Sequence, residues 1–189
     1  MTESALEHNE HREHAEHAAH SGDPFIIRVS VTIAVLAVVA AAISSLETVE
    51  SGFALGKLSE AGLTQNKASD SWGYYQAERI KKAVYDAVAL ASPDKAAEAG
   101  KQSEKYETSS RKIQEDSRKL EEEVSAAEAE SRVHEGRHHR LTLAATFLHV
   151  AIAISTISII ARGQRWPWYV AVLLGVGGVG VGATAYFTH

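Results

Sequence analysis

His134-Glu135-Gly136-Arg137-His138 has the spacing H-E-x-x-H. On a helix, histidines four apart share one face and can hold a zinc ion, with the glutamate between them as general base. A hydrolytic centre of that kind needs a third protein ligand. No Asp or Glu follows Glu135, and His149 lies three turns further along the same helix, out of reach. The third ligand would have to come from elsewhere in the chain or from another chain, and Gly136 weakens the helix the motif requires. A second histidine series sits near the amino terminus, where His8, His11, His14, His17 and His20 recur every three residues, four of them directly after a glutamate. Neutral imidazoles bind zinc, nickel or copper. A three-residue step turns each side chain by about −60° on a helix, so five cannot face one ion, although two neighbours could chelate. We read this series as a solvated low-complexity tail that gains charge near pH 6.5. His134 and His138 we read as part of a basic collar with Arg132, Arg137, His139 and Arg140 near lipid headgroups. Metal binding at either place, or a metal-dependent membrane hydrolase at His134 and His138, is the alternative.

The elements that carry these residues are set by three long apolar segments: 25–46, 141–161 and 166–188. Some 20 residues of helix cross a hydrocarbon layer about 30 Å thick. The first segment has twelve Val, Ile, Leu or Phe, which favour insertion by roughly 4–7 kcal/mol before polar costs. The second has ten and the third eight, diluted by five glycines. Trp166-Pro167-Trp168-Tyr169 opens the third segment as an interfacial aromatic belt, with proline in the first helical turn. Arg28 is the one charged residue inside any segment. Met1–Pro24 is acidic, with six carboxylates against Arg12, the opposite of a signal-peptide leader, so the first segment is expected to be a retained span.

Between the first and second spans lies a polar insert, 47–140, with fifteen Lys or Arg and eighteen Asp or Glu. That balance suits a solvated helical surface and not a nucleic-acid footprint. There is no cysteine, hence no disulfide framework and no thiol chemistry. Ser92-Pro93-Asp94 breaks the insert into two arms, with Pro93 expected to start the second. The second arm has a seven-residue spacing, Ala99, Tyr106, Ile113, Leu120 and Ala127, beside a stripe of Ser103, Ser110, Ser117, Val124 and Ser131. Ile113 and Leu120 are expected to be the most buried points of that seam. Trp72, Tyr75, Ala77, Ile80, Val84, Ala87 and Ala91 are expected to supply the facing surface of the first arm, whose Gly52, Gly56 and Gly62 could bend it. Tyr74 points elsewhere and is a candidate contact residue.

Ala68-Ser69-Asp70-Ser71-Trp72-Gly73-Tyr74-Tyr75-Gln76-Ala77-Glu78-Arg79-Ile80-Lys81 resembles the most recognisable stretch of domain-of-unknown-function family 4337, bacterial multi-pass membrane proteins. The resemblance implies a His-rich start, one span, a long helical insert and two closing spans. It implies no activity, substrate, cofactor or catalytic residue.

The expected fold is therefore all-α: three transmembrane helices with a long antiparallel, coiled-coil-like helical hairpin between the first and second. The function read from it is a membrane-anchored structural or interaction protein, not an enzyme, without a cofactor, contacting lipid, itself and an unidentified protein partner. Gly178 and Gly182 share a face of the third span where another helix can approach closely, and with the hairpin they are expected to hold a homo-oligomer. His149, in mid-span, is expected to face another helix and bond to it. The Arg162–Arg165 link favours the cytoplasmic side of an inner membrane, which puts the insert outside. Arg132, Arg137 and Arg140 pull the other way, but long loops weigh less in that rule. Reporter fusions after residues 92 and 164 should therefore report opposite sides of the membrane, and finding both on one side would end the three-span topology.

Overall fold

The computed structural model describes residues 23–161 and 164–187, and they form three helices with no strand among them: α1 (Pro24–Ala91), α2 (Ala96–Ile160) and α3 (Trp166–Phe187). The histidine series His8 to His20 and Arg162 lie outside the described residues.

Local chemistry explains the helix ends. Asp23 caps α1: its Oδ1 accepts the Phe25 N–H at 2.8 Å and its carbonyl accepts the Ile27 N–H at 3.1 Å. Pro24 takes the first helical position, where a missing N–H costs nothing. At the other end Ser92 still donates to the Val88 carbonyl at 3.0 Å, and then Pro93 offers no donor to continue the ladder. Ser92–Lys95 close a turn, with Lys95 N–H on the Ser92 carbonyl at 3.0 Å. The second arm therefore starts at Ala96, three residues after the proline expected to begin it. Gly52, Gly56 and Gly62 do not interrupt α1, which spans 68 residues.

The chain divides into two compact units, 1–52 with 134–189, and 53–133. The first contains the apolar parts of all three helices, each long and apolar enough to cross a membrane. Val29, Ile33, Leu36, Ala40 and Ile43 of α1 pack with Leu141, Ala144, Ala145, Leu148 and Ile152 of α2. α3 closes on them through its small residues. Ala171, Gly175, Gly178, Gly182 and Ala185 are buried, whereas Leu173, Val176 and Val179 point outward. A Cβ on Gly178 would lie 3.1 Å from the Ala144 carbonyl oxygen and 3.1 Å from Phe147 Cβ, and one on Gly182 would lie 3.3 Å from Ile43 Cδ1. The glycine face is thus filled by the same chain, which removes Gly178 and Gly182 as a surface for contact between copies. The close approach gains dispersion contacts that lipid cannot match. His149 does not face a neighbouring helix as expected: it is exposed on the outside of this unit, because the inward positions around it are taken by Ala145, Leu148 and Ile152.

The second unit is an antiparallel pair of arms. Ser71 meets Ser117, Asp86 meets Ser103, and the Ala54 carbonyl meets Ser131. The most buried seam positions are not Ile113 and Leu120, which are half-buried, but the serine stripe. Ser117 is 0% exposed and Ser110 1%. A small side chain lets two helix backbones approach, and the larger Ile113 and Leu120 are then displaced to the flanks. The buried hydroxyls are satisfied locally or across the seam. Ser110 donates to the Glu107 carbonyl at 2.9 Å, and Ser117 lies 2.8 Å from the Ile113 carbonyl and 2.7 Å from Ser71 Oγ. Ser131 donates to the Ala54 carbonyl at 2.9 Å. The facing surface of the first arm also differs from expectation. Trp72 and Tyr75 are half-buried, edge to face at 5.3 Å, but Ala77, Ile80, Val84, Ala87 and Ala91 all point outward.

The glycine packing gives a direct test. Gly178→Ile should cost the full chain about 1–3 kcal/mol of stability in mild detergent, as overpacking does. Gly177→Ile, which meets nothing within 4 Å, should leave the thermal midpoint unchanged or higher. Equal effects at the two positions would show that α3 does not pack as described.

Candidate functional site

Within the span-bearing unit the inward positions of α1 run 33, 36, 40, 43, 47, 50, and those of α2 run 134, 138, 141, 145, 148, 152. All are apolar except one layer. There Glu47 and Glu50 stand on α1, and His134 and His138 on α2. The steps of three and four that make a packing seam put these groups together. The four-residue step between His134 and His138, which also makes the H-E-x-x-H spacing, is a seam step.

Glu50 is the centre of the layer. It is 5% exposed. Its Oε2 lies 2.6 Å from His134 Nδ1, and its Oε1 accepts the Tyr186 hydroxyl of α3 at 2.9 Å. Arg137 Nη1 stands 3.9 Å from the same Oε1, and the Arg137 guanidinium lies over the Tyr186 ring, 5.3 Å from its centre. One carboxylate therefore ties α1 to both other helices. A carboxylate only accepts, so the His134 proton facing it sits on Nδ1. Burial by itself would push the Glu50 carboxyl up. The hydrogen bonds from His134 and Tyr186, with the fields of His134 and Arg137, outweigh it and hold the carboxyl below its ordinary value.

Glu47 makes the second half of the layer. Its Oε1 is 2.6 Å from the Thr142 hydroxyl and 3.9 Å from His138 Nδ1, which also faces the Glu47 carbonyl at 3.4 Å. Beside it Arg140 Nη1 donates to the Thr184 carbonyl at 2.9 Å, a second tie between α2 and α3. Arg137 and Arg140 of the expected basic collar thus bond within the chain, whereas Arg132, 3.6 Å from Glu128, and His139 are exposed.

The arrangement is one of ion pairs and hydrogen bonds between helices. His134 and His138 turn their Nδ1 atoms to Glu50 and to the Glu47 backbone, and Glu135 is exposed on another face. Among the described residues no three or more His, Asp or Glu side chains converge as a metal site. Sequence reasoning missed Glu47 and Glu50 as the partners of the histidines. The signal was present: the seven-residue spacing from Ala99 to Ala127 continues through His134, Leu141 and Leu148.

In the other unit, Tyr74 is 69% exposed and borders an open groove of about 520 Å³ with Lys67, Asp70, Glu78, Ile113 and Asp116. Trp72 donates its indole N–H to Glu121 at 2.8 Å. The stretch Ala68–Lys81 supplies one wall of this groove. A family model, described as a domain of unknown function, DUF4337, matches residues 25–188. The chain belongs to the DUF4337 family. No curated protein and no solved structure matches it. The DUF4337 match covers all three helices, so the polar layer and the insert both lie within the region that defines the family.

Because the Glu50 carboxyl is held below its ordinary value, its pairing contributes stability above the ordinary carboxylate range, and that contribution is lost as pH falls through the depressed value. Thermal midpoints in detergent should fall with acidification more steeply for the parent than for Glu50→Gln. At neutral pH Glu50→Ala should lose about 1.5–3 kcal/mol, the usual worth of hydrogen bonds to a charged group, because His134, Arg137 and Tyr186 are part-exposed and can turn to water. Parallel pH profiles for parent and Glu50→Gln would remove Glu50 from this role.

Proposed function

We propose that this DUF4337 protein is a membrane-anchored interaction protein: three spans hold it in a bacterial inner membrane, and the helical insert, outside the cytoplasm, associates with other copies or docks a partner protein. One observation supports this above all. The insert is packed inside out. Its buried apolar cluster is Ala61, Val124 and Ala127, while Leu55, Leu58, Leu63, Ile80, Val84 and Leu90 are exposed. A soluble surface seldom leaves large apolar side chains together without a use for them.

A metal-dependent role for His134 and His138 makes a different demand. Stoichiometric zinc in the purified full chain, lost in the double alanine variant, would favour it over the interaction reading. Nothing in the geometry of the two imidazoles favours it.

The interaction reading is tested by crosslinking in native membranes with a lysine-reactive reagent. Lys57, Lys67, Lys81, Lys101, Lys105 and Lys112 of the insert should form intermolecular links, identified by mass spectrometry. Intermolecular links confined to residues outside 53–133 would overturn it.

A further inference from the structure

The distal part of α1 has two packing faces. The inner one, Tyr75, Glu78, Lys82, Tyr85 and Ala89, lies against α2 and is half-buried throughout. The other consists of Gly73, Ala77, Ile80, Val84, Ala87 and Ala91, and every one of these residues is exposed. The steps between them are four, three, four, three, four, the spacing of a helix-packing seam. At 100° per residue this second seam is centred about 160° from the first, on the opposite side of the helix.

The face is wide and nearly free of charge. Tyr74 and Val88 flank it on one side, Gln76, Ala83 and Leu90 on the other. Of the exposed large apolar side chains in this part of α1, Ile80 and Val84 lie on it and Leu90, 87% exposed, lies at its edge, while Tyr74 turns toward the groove between the arms. Lys81 at one border is bonded to Glu78 at 2.9 Å, and Arg79, just past Leu90 at the other, stands 3.9 Å from Glu107 of the second arm. Lys82 and Asp86 bond each other at 2.8 Å on the other side of the helix. At the same spacing upstream stand Asn66 and Asp70, both polar, and downstream the helix ends at Ala91, so the face has defined limits. Its 19 residues are about 28 Å long at 1.5 Å each.

We propose that this face is a self-association seam, covered by the same face of a second copy of the chain. Its symmetry argues for that occupant. From either end inward the order is small, small, large: Gly73, Ala77, Ile80 from one side and Ala91, Ala87, Val84 from the other. Self-complementarity of this kind is what a two-fold contact requires, since each residue must be able to meet its own counterpart or its mirror in the order. A face without charge also offers a heterologous partner no ionic recognition, whereas a copy supplies a matching apolar strip. Gly73 adds room, since a Cβ there would meet nothing within 4 Å. Anchoring copies in one membrane raises their effective concentration, so a seam of modest area can suffice. The proposal rests on the reading of the insert as an interaction module and names its partner and surface.

The chain has no cysteine, which makes disulfide mapping clean. Full-length Ile80→Cys and Val84→Cys proteins in lipid vesicles, oxidised mildly, should form covalent dimers at least about tenfold faster than Lys112→Cys, because a disulfide needs Cβ atoms about 3.5–4.5 Å apart. Same-position links report a parallel seam, and faster links in a mixture of the two variants report an antiparallel one. Either result supports the proposal. Ile80→Glu combined with Val84→Glu, at positions 65% and 55% exposed in the single chain, should keep the helical content and weaken dimerisation by about a hundredfold or more. A monomeric parent, linking at Lys112→Cys as fast as at the seam, or an unchanged dimer in the double glutamate variant would each overturn the seam. If lysine crosslinks from the insert to other proteins persist in any of those cases, the interaction reading survives and only the choice of a second copy fails.

Discussion

A carboxylate with little access to water must be met by protons from its neighbours, and in this protein Glu50 sets that requirement for three helices at once. His134 answers from α2, Tyr186 from α3, and Arg137 stacks between them. Apolar packing below this layer is permissive, since Val, Ile, Leu and Ala can slide past one another by a turn at modest cost. Glu50 is not permissive. Shifting α2 by one turn in one direction would put Ser131 where His134 meets Glu50 and take the imidazole from that buried charge, and in the other would put Leu141 where His138 faces Glu47. The layer therefore fixes register, the best-attested use of polar groups at seam positions.

The two units solve the problem of helix packing with the same device and different chemistry. In the span-bearing unit, glycine and alanine on α3 allow close approach, and large side chains point outward. In the insert, serine does the same between the arms, with its hydroxyl returned to a backbone carbonyl or to the opposite helix. The serine seam leaves large side chains over, and on α1 they collect on the face away from α2. An interior built from small residues thus leaves the large apolar ones on the exterior.

The architecture was legible because hydrophobic length is a strong signal: twelve large apolar side chains in 25–46 and a seven-residue period in 99–127 leave few alternatives. What failed to show was which of two parallel stripes faces inward. Both stripes read as seam positions, one apolar and one small, and size points to Ile113 and Leu120 as the most buried. Backbone proximity decides the other way, since arms joined by Ser-Ser and Ser-carbonyl bonds bury small side chains between them, with Val124 the largest. The same bias toward large apolar residues sent Ile80 and Val84 inward. The polar layer was hidden for a different reason. His134 and His138 fit a local motif, and a local motif draws attention to the residue between them, Glu135, when their partners lie 84 and 91 positions away at Glu50 and Glu47.

The serine seam has a thermodynamic consequence. Heat capacity of unfolding comes chiefly from apolar surface newly exposed to water, about 12–15 cal/mol/K per residue in ordinary globular proteins. Residues 53–133 bury four alanines, one valine and little else that is apolar, apart from flanks that water already touches. Their heat-capacity change should fall well below that norm. A small value flattens the curve of free energy against temperature, so the arms gain little by cooling and lose little near the top of the curve. Their stability should vary gently with temperature rather than peak sharply.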